Sequence, residues 1–274
     1  DSNNEFINSS LTFFDERYRE RTIQNFNYIY NYTNEIALLA NYREANRAPS
    51  PVELSCADPG APCRLPNAFV ADPPLEQVVT RGTELGIRSN LNTKNYNINI
   101  SATGHFSQNS EDILFVSSGT GLSSGYFKNF GKTHRLGFDL SLKATKNKQK
   151  KGFQTSTINY SYLKATFQSA HTLPAANHPN GSNDIEVGDT IPGMPLHKIN
   201  AKTTYGFNDK FNISLGALGA TGVYLRGDES NQLNKTSPYM IFNLESKYQP
   251  TKNISVFARF DNLLDSKYET MGVL

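Results

Sequence analysis

Lys132-Thr133-His134-Arg135-Leu136-Gly137-Phe138-Asp139-Leu140-Ser141-Leu142-Lys143 alternates residue by residue. Leu136, Phe138, Leu140 and Leu142 fall on one side, and Arg135, Asp139, Ser141 and Lys143 on the other. A period of two is the mark of an extended strand, whose successive side chains point to opposite faces. One face is apolar and the other charged, so the strand does not belong to a parallel sheet buried on both sides.

The pattern recurs along the chain. Tyr96, Ile98, Ile100, Ala102 and Phe106 oppose Asn97, Asn99, Ser101, Thr103 and His105. Ile199, Ala201, Tyr205 and Phe207 oppose Lys198, Asn200, Lys202 and Thr204. Met240, Phe242, Leu244 and Tyr248 oppose Asn243, Glu245 and Lys247. About ten such strands are expected, near 20–31, 34–43, 81–91, 95–106, 132–143, 153–166, 196–207, 211–224, 237–248 and 253–262, with an eleventh near 5–14. Each is roughly 10–14 residues long, against about 5–6 for strands of globular proteins. Strands of about 9–11 residues or more match a tilted crossing of a bilayer.

The connections alternate in length. Short polar turns are expected at Asn31–Asn34, Asn92–Asn95, Asn208–Lys210 and Gln249–Asn253, with a lysine-rich turn at Thr145–Lys151. Between them lie long loops near 44–80, 107–131, 167–195 and 225–236. Tight turns at one end and long loops at the other are the arrangement of an outer-membrane barrel. Aromatic residues crowd the strand ends at Tyr28, Tyr30, Tyr32, Tyr205, Phe207, Phe211 and Tyr248, where a bilayer boundary favours amphipathic rings.

Composition agrees. The 274 residues are 37% hydrophobic, with a mean hydropathy of −0.52. The longest aliphatic run is Ile36–Ala40, far short of the ~20 residues of a membrane helix. Barrel strands are apolar on one face only, so they average out polar. The 17 Phe and 14 Tyr are many for so polar a chain. The formal net charge of +2 speaks against a strongly charged partner. The expected fold is therefore all-β: an antiparallel up-and-down transmembrane barrel, present in part.

Two stretches carry a family resemblance. Asp261-Asn262-Leu263-Leu264-Asp265, followed by Lys267-Tyr268 and Gly272, resembles the near-C-terminal signature of TonB-dependent outer-membrane receptors, with Leu264 in place of the usual Phe. Arg47-Ala48-Pro49, with Glu53-Leu54 and then Glu84-Leu85-Gly86-Ile87-Arg88, is similar to an earlier loop and strand of the same family. The resemblance implies a siderophore-receptor type of barrel in the bacterial outer membrane. It would capture an extracellular nutrient, above all a ferric siderophore or similar metal chelate, and import it with energy from TonB. It also implies that residues 1–274 are a C-terminal part of the barrel, truncated at both ends. The plug domain, the TonB box and at least one closing strand of a ~22-stranded barrel do not occur in it. The alternative is a passive porin-type channel or another outer-membrane barrel protein, such as an adhesin or a barrel enzyme.

Candidate site residues follow from charge and facing. Arg47, His105, Arg135 and Lys198 are candidate contacts for an anionic chelate. Cys56 and Cys63 flank Pro59-Gly60 in the first long loop, and a disulfide is expected in an oxidising compartment. A metal site there would need further ligands, and no His lies near. His171, His178, His134 and His197 are scattered and read as solvated or lumen-lining. Gly119–Gly125 lacks the Gly-Lys-Ser/Thr ending of a phosphate loop. Sequons start at Asn99, Asn159, Asn212 and Asn253, all inside expected strands, and read as lumen-lining polar positions. The lysines of 143–151 suit a turn near lipid headgroups, with no nucleic-acid signature beside them. No catalytic constellation stands out, and no cofactor or enzyme activity is expected.

Overall fold

The computed structural model describes residues 24–57, 75–117, 125–146, 152–174, 181–270 and 272. Their elements are β1 (Asn25–Asn31), β2 (Ile36–Arg47), α1 (Pro51–Ser55), β3 (Val78–Asn92), β4 (Tyr96–Ser110), β5 (Ile113–Ser117), β6 (Gly125–Asn129), β7 (Thr133–Lys146), β8 (Phe153–Phe167), β9 (His171–Pro174), β10 (Ser182–Ile185), β11 (His197–Gly206), β12 (Phe211–Ala220), β13 (Tyr239–Thr251) and β14 (Ile254–Phe260). Ten strands form one antiparallel sheet in the order β1-β2-β3-β4-β7-β8-β11-β12-β13-β14. Each of the first nine pairs with the next long strand along the chain. The sheet is not closed by its edge strands, β1 and β14. The eleventh strand expected near 5–14 lies outside the described residues.

Residues opposite one another in an antiparallel pair share a face. Phe138 therefore stands between Gly104 and Tyr162, Leu140 between Ala102 and Tyr160, and Leu142 between Ile100 and Ile158. Among the described residues nothing covers this apolar face: Leu85 is 69% exposed and Leu136 50%. On the opposite face Asp139 stands between Thr103 and Ser161, and Ser141 between Ser101 and Asn159. Aromatic rings band the turn end of the apolar face. Tyr205 meets Phe207 at 4.8 Å, Phe207 meets Phe211 at 5.4 Å, and Phe211 meets Tyr248 at 6.3 Å between ring centres.

One device closes three of the short turns. Thr33 Oγ1 accepts from the amide of Ile36 at 3.0 Å, Thr93 Oγ1 from Tyr96 at 3.0 Å, and Asn208 Oδ1 from Phe211 at 2.9 Å. The side chain supplies the acceptor that the tight backbone lacks, as Asn and Thr do in turns.

The other end differs from the sequence reading. The stretches 107–131 and 167–195 are not plain loops: β4 runs on to Ser110, and the hairpins β5–β6 and β9–β10 follow. Ile113-Leu114-Phe115-Val116 is apolar without alternation, so it is buried on both sides and shows no period of two. Asn253 sits in the turn before β14 and not in a strand. The main buried core lies here, built from Val116, Tyr126, Phe130, Phe167, Leu173 and Ile185, with Phe130 and Phe167 wholly enclosed. A smaller cluster joins Ala57, Leu75, Val78 and Ile113. Gly131, between β6 and β7, ends the first of these stretches with φ +62, a conformation that side chains disfavour.

Candidate ligand wall and loop end

The polar face is a net cationic wall. Arg43, Arg88, Lys143, Lys198 and Lys202 lie on it with Glu84, Asp139 and Glu245. Strand register decides which of these charges meet. Lys202 Nζ reaches Glu245 Oε2 at 2.5 Å across β12. His105 Nδ1 lies 3.5 Å from Asp139 Oδ2, and the Ser161 hydroxyl donates to Asp139 Oδ1. Ser161 therefore donates its hydroxyl proton to a carboxylate.

Arg47 and Arg135, both expected as ligand contacts, are held by carboxylates. Arg47 forks onto Glu53, with Nη1 to Oε2 at 2.6 Å and Nη2 to Oε1 at 2.9 Å. Glu53 closes a capping box on α1: it accepts from the Ser50 amide at 2.7 Å, and the Ser50 hydroxyl accepts from the Glu53 amide at 3.3 Å. Burial pushes the Glu53 carboxyl up, but the Arg47 guanidinium and Ser50 outweigh it and hold the group below its ordinary range. Arg135 donates to Asp112 at 2.8 Å and to Thr133 at 3.1 Å, and Thr133 donates to the same Asp112 oxygen at 2.7 Å. That triad fastens the start of the β5–β6 hairpin to β7. His105 is paired with Asp139. Lys198 makes no ion pair among the described residues.

Lys198 opens instead onto a hollow of about 410 Å³ in the wall, with Asp139, Asn159, Ser161 and Asn200 around it. Sequence reasoning missed this grouping. The signal for it was present only as separate polar positions on β7, β8 and β11.

At the loop end Cys56 is buried and disulfide-bonded, and its carbonyl accepts from the Phe127 amide at 2.7 Å. Cys63 and His178 lie outside the described residues. Two loops are laced together by buried polar groups. Asn183 Nδ2 donates to Gly227 O at 3.0 Å and to Glu229 Oε2 at 2.7 Å, while Asn183 Oδ1 accepts from the Ser230 amide at 2.9 Å. Asn231 exchanges two hydrogen bonds with the Thr190 backbone, at 2.6 and 2.9 Å. His171 packs edge-on against Phe130 at 5.1 Å, and His197 Nδ1 lies 2.8 Å from the Tyr160 hydroxyl on the apolar face. His197 therefore does not line the polar wall. No group of three or more His, Cys, Asp or Glu suited to a metal occurs among the described residues.

The family model for the TonB dependent receptor-like β-barrel matches residues 2–263. The chain belongs to this family. TonB-dependent receptor barrels form its structural neighbours. The siderophore receptor PiuA from Acinetobacter baumannii shares 16% identity at a TM-score of 0.63, over 89% of this chain and 32% of its own. The ferric yersiniabactin uptake receptor FyuA from Yersinia pestis shares 18% at 0.63, over 91% and 33%. The copper transporter OprC shares 18% at 0.61, over 89% and 34%. The chain thus spans about a third of the length of these receptors. At such identities the likeness is one of fold. Among curated proteins, none matches the sequence. The family is one of bacterial outer-membrane receptor barrels, and transport, not enzyme catalysis, is its business.

Proposed function

We propose that this chain is the wall and loop end of an outer-membrane receptor that takes up a metal chelate, most simply a ferric siderophore, with energy from TonB. The observation that carries the reading is the two-faced sheet: an uncovered apolar face against a net cationic polar face, within a family of receptor barrels. The apolar face meets outer-membrane lipid, which supplies the cover that the protein does not. The cationic wall suits an anionic chelate, since charge of one sign along a cleft concentrates its counterion. The packed loops at one end present the surface that first meets the ligand.

Of the four residues singled out by charge, Lys198 remains open to a ligand directly. Arg47 and Arg135 act by holding loops, and His105 by fixing Asp139. The named neighbours support a metal-linked cargo: PiuA is a siderophore receptor, FyuA takes up ferric yersiniabactin and OprC is a copper transporter.

The test is uptake of labelled ferric chelates by cells carrying the intact gene, with and without a working TonB system. Uptake that stops without TonB supports the reading. Uptake that continues undiminished makes the protein a passive channel.

A further inference from the structure

The apolar face carries a charge at its loop end. Lys164 on β8 stands opposite Leu136, and Leu136 opposite Phe106, so Lys164 belongs to the uncovered side of the sheet. It is exposed and makes no ion pair among the described residues. Arg81, the other cation at this end of the face, is held by Glu44 at 3.0 Å. Two residues further along β8, Thr166 and Phe167 are already enclosed by the loop end. Lys164 therefore marks the boundary between the apolar face and the loops. It also stands between two imidazoles. His197 is opposite Tyr162 and His134 opposite Thr166, so both are diagonal to Lys164. Diagonal neighbours lie about 7–8 Å apart, within reach of a long side chain. His134 is held by Gln108 at 3.3 Å. His197 packs on Tyr162 at 5.3 Å between ring centres, and its Nδ1 lies 2.8 Å from the Tyr160 hydroxyl. With that hydroxyl as donor, the ring proton of His197 is on Nε2, which has no partner among the described residues.

Resting on the reading of the apolar face as lipid-facing and the loop end as extracellular, we infer that Lys164, His197 and Tyr162 form a site for the phosphorylated headgroup of an outer-leaflet lipid. Lys164 holds the phosphate by a charge-assisted bond. His197 Nε2 and the Tyr162 hydroxyl donate to its remaining oxygens. The acyl chains run from there along Leu136, Phe138 and Leu140, on the same face. That apolar column decides for a lipid over a free phosphate: a soluble anion meets only the donors, whereas a lipid covers donors and column together. A lysine on a lipid-facing side is costly at depth and tolerated near the headgroups, where its stem lies along apolar surface and its charge finds an anion. The position of Lys164 at the boundary meets that condition. The site is on the outside of the wall, so nothing that occupies the interior of a closed barrel covers it.

The experiment is native mass spectrometry of the intact protein from detergent micelles, with diphosphorylated lipid A as the probe. Heat-modifiability first shows that each variant is folded. Lys164→Gln should retain several-fold less lipid A, and Lys164→Arg should restore retention. Tyr162→Phe, which removes only a hydroxyl, should lower it. Lys146→Gln, at the turn end of the same face, should leave it unchanged. The site is overturned if Lys164→Gln retains as much lipid A, if Lys146→Gln loses as much, or if lipid A stripped of its phosphates is retained equally. Displacement of the lipid by inorganic phosphate would make the site one for a free anion and overturn the lipid. Failure here with TonB-dependent uptake intact removes only this site. Retention that depends on Lys164 while uptake ignores TonB removes the transport reading and leaves the site standing.

Discussion

The imidazole of His105 lies over the backbone of Gly137, its partner across β4 and β7, in space that a Cβ on Gly137 would occupy. The ring can take that position only because residue 137 has no side chain, and from there it reaches Asp139 at 3.5 Å. Gly137→Ala is expected to swing the ring away and part it from Asp139; the clash falls on the far end of a partly exposed side chain, so the cost lies at or below the low end of about 1–3 kcal/mol. Heat-modifiability on gels reads the folded fraction. His105→Ala in the Gly137→Ala background should restore it, and a double variant no better than Gly137→Ala would show that the ring is not the obstacle.

Neighbouring positions on β7 separate the two faces. Leu140→Arg puts a charge on the apolar face, where a bilayer midplane charges about 2–4 kcal/mol for it. Ser141→Arg puts the same side chain on the polar wall and should cost far less. Folded yield in lipid vesicles measures both. Equal losses would mean that the faces are assigned the wrong way round.

Cys56 and Cys63 are expected to be joined. A maleimide probe applied to intact cells without reductant should label neither, and should label both after reduction. Ready labelling before reduction would exclude the bond.

Glu53 makes the start of the first long loop sensitive to acid. Its carboxyl is held below the ordinary range, so its contribution is complete above that range and disappears as pH falls through the lowered value. Hydrogen-exchange protection of the Leu54 amide, which donates to Ser50 O at 3.0 Å, should hold at neutral pH and collapse in acid. Glu53→Gln keeps the capping box, because the amide oxygen still accepts from the Ser50 amide, but loses the charged pair with Arg47; it should lower protection modestly at neutral pH and abolish its dependence on acid. An unaltered acid profile in that variant would place the sensitive group elsewhere.

The sheet was legible because its signal is local. Alternation in Lys132–Lys143 assigns the faces of β7 without any knowledge of its neighbours, and the turns at Asn92–Asn95 and Asn208–Lys210 announce themselves by composition. The capping box of Ser50-Pro51-Val52-Glu53, with Pro at the first helical position, lies inside the long loop expected at 44–80 and was not read from the sequence; it explains why Arg47 is occupied. Arg135 is different. Its partner Asp112 is 23 positions earlier, beyond a hairpin whose contiguous apolar residues carry no period. The contact of His105 with Gly137 and the row Asp139–Ser161–Lys198 depend on register between strands, and a slip of one residue would move every side chain to the other face. Such groupings exist only once the pairing is known.

The connections also set an order of assembly. Each strand of the large sheet pairs with the next long strand in the chain, and the hairpins closed by Thr33, Thr93 and Asn208 need only a few residues to meet. Hairpins of that kind form in about 1–10 μs, whereas closing a longer loop costs more entropy. Phe130 and Phe167, at the open end of the β7–β8 hairpin, and Asn183 and Glu229, 46 positions apart, must wait until the strands have paired along their length. The molecule therefore zips from its turn end, and the packed loops that would meet a ligand are the last part to take shape.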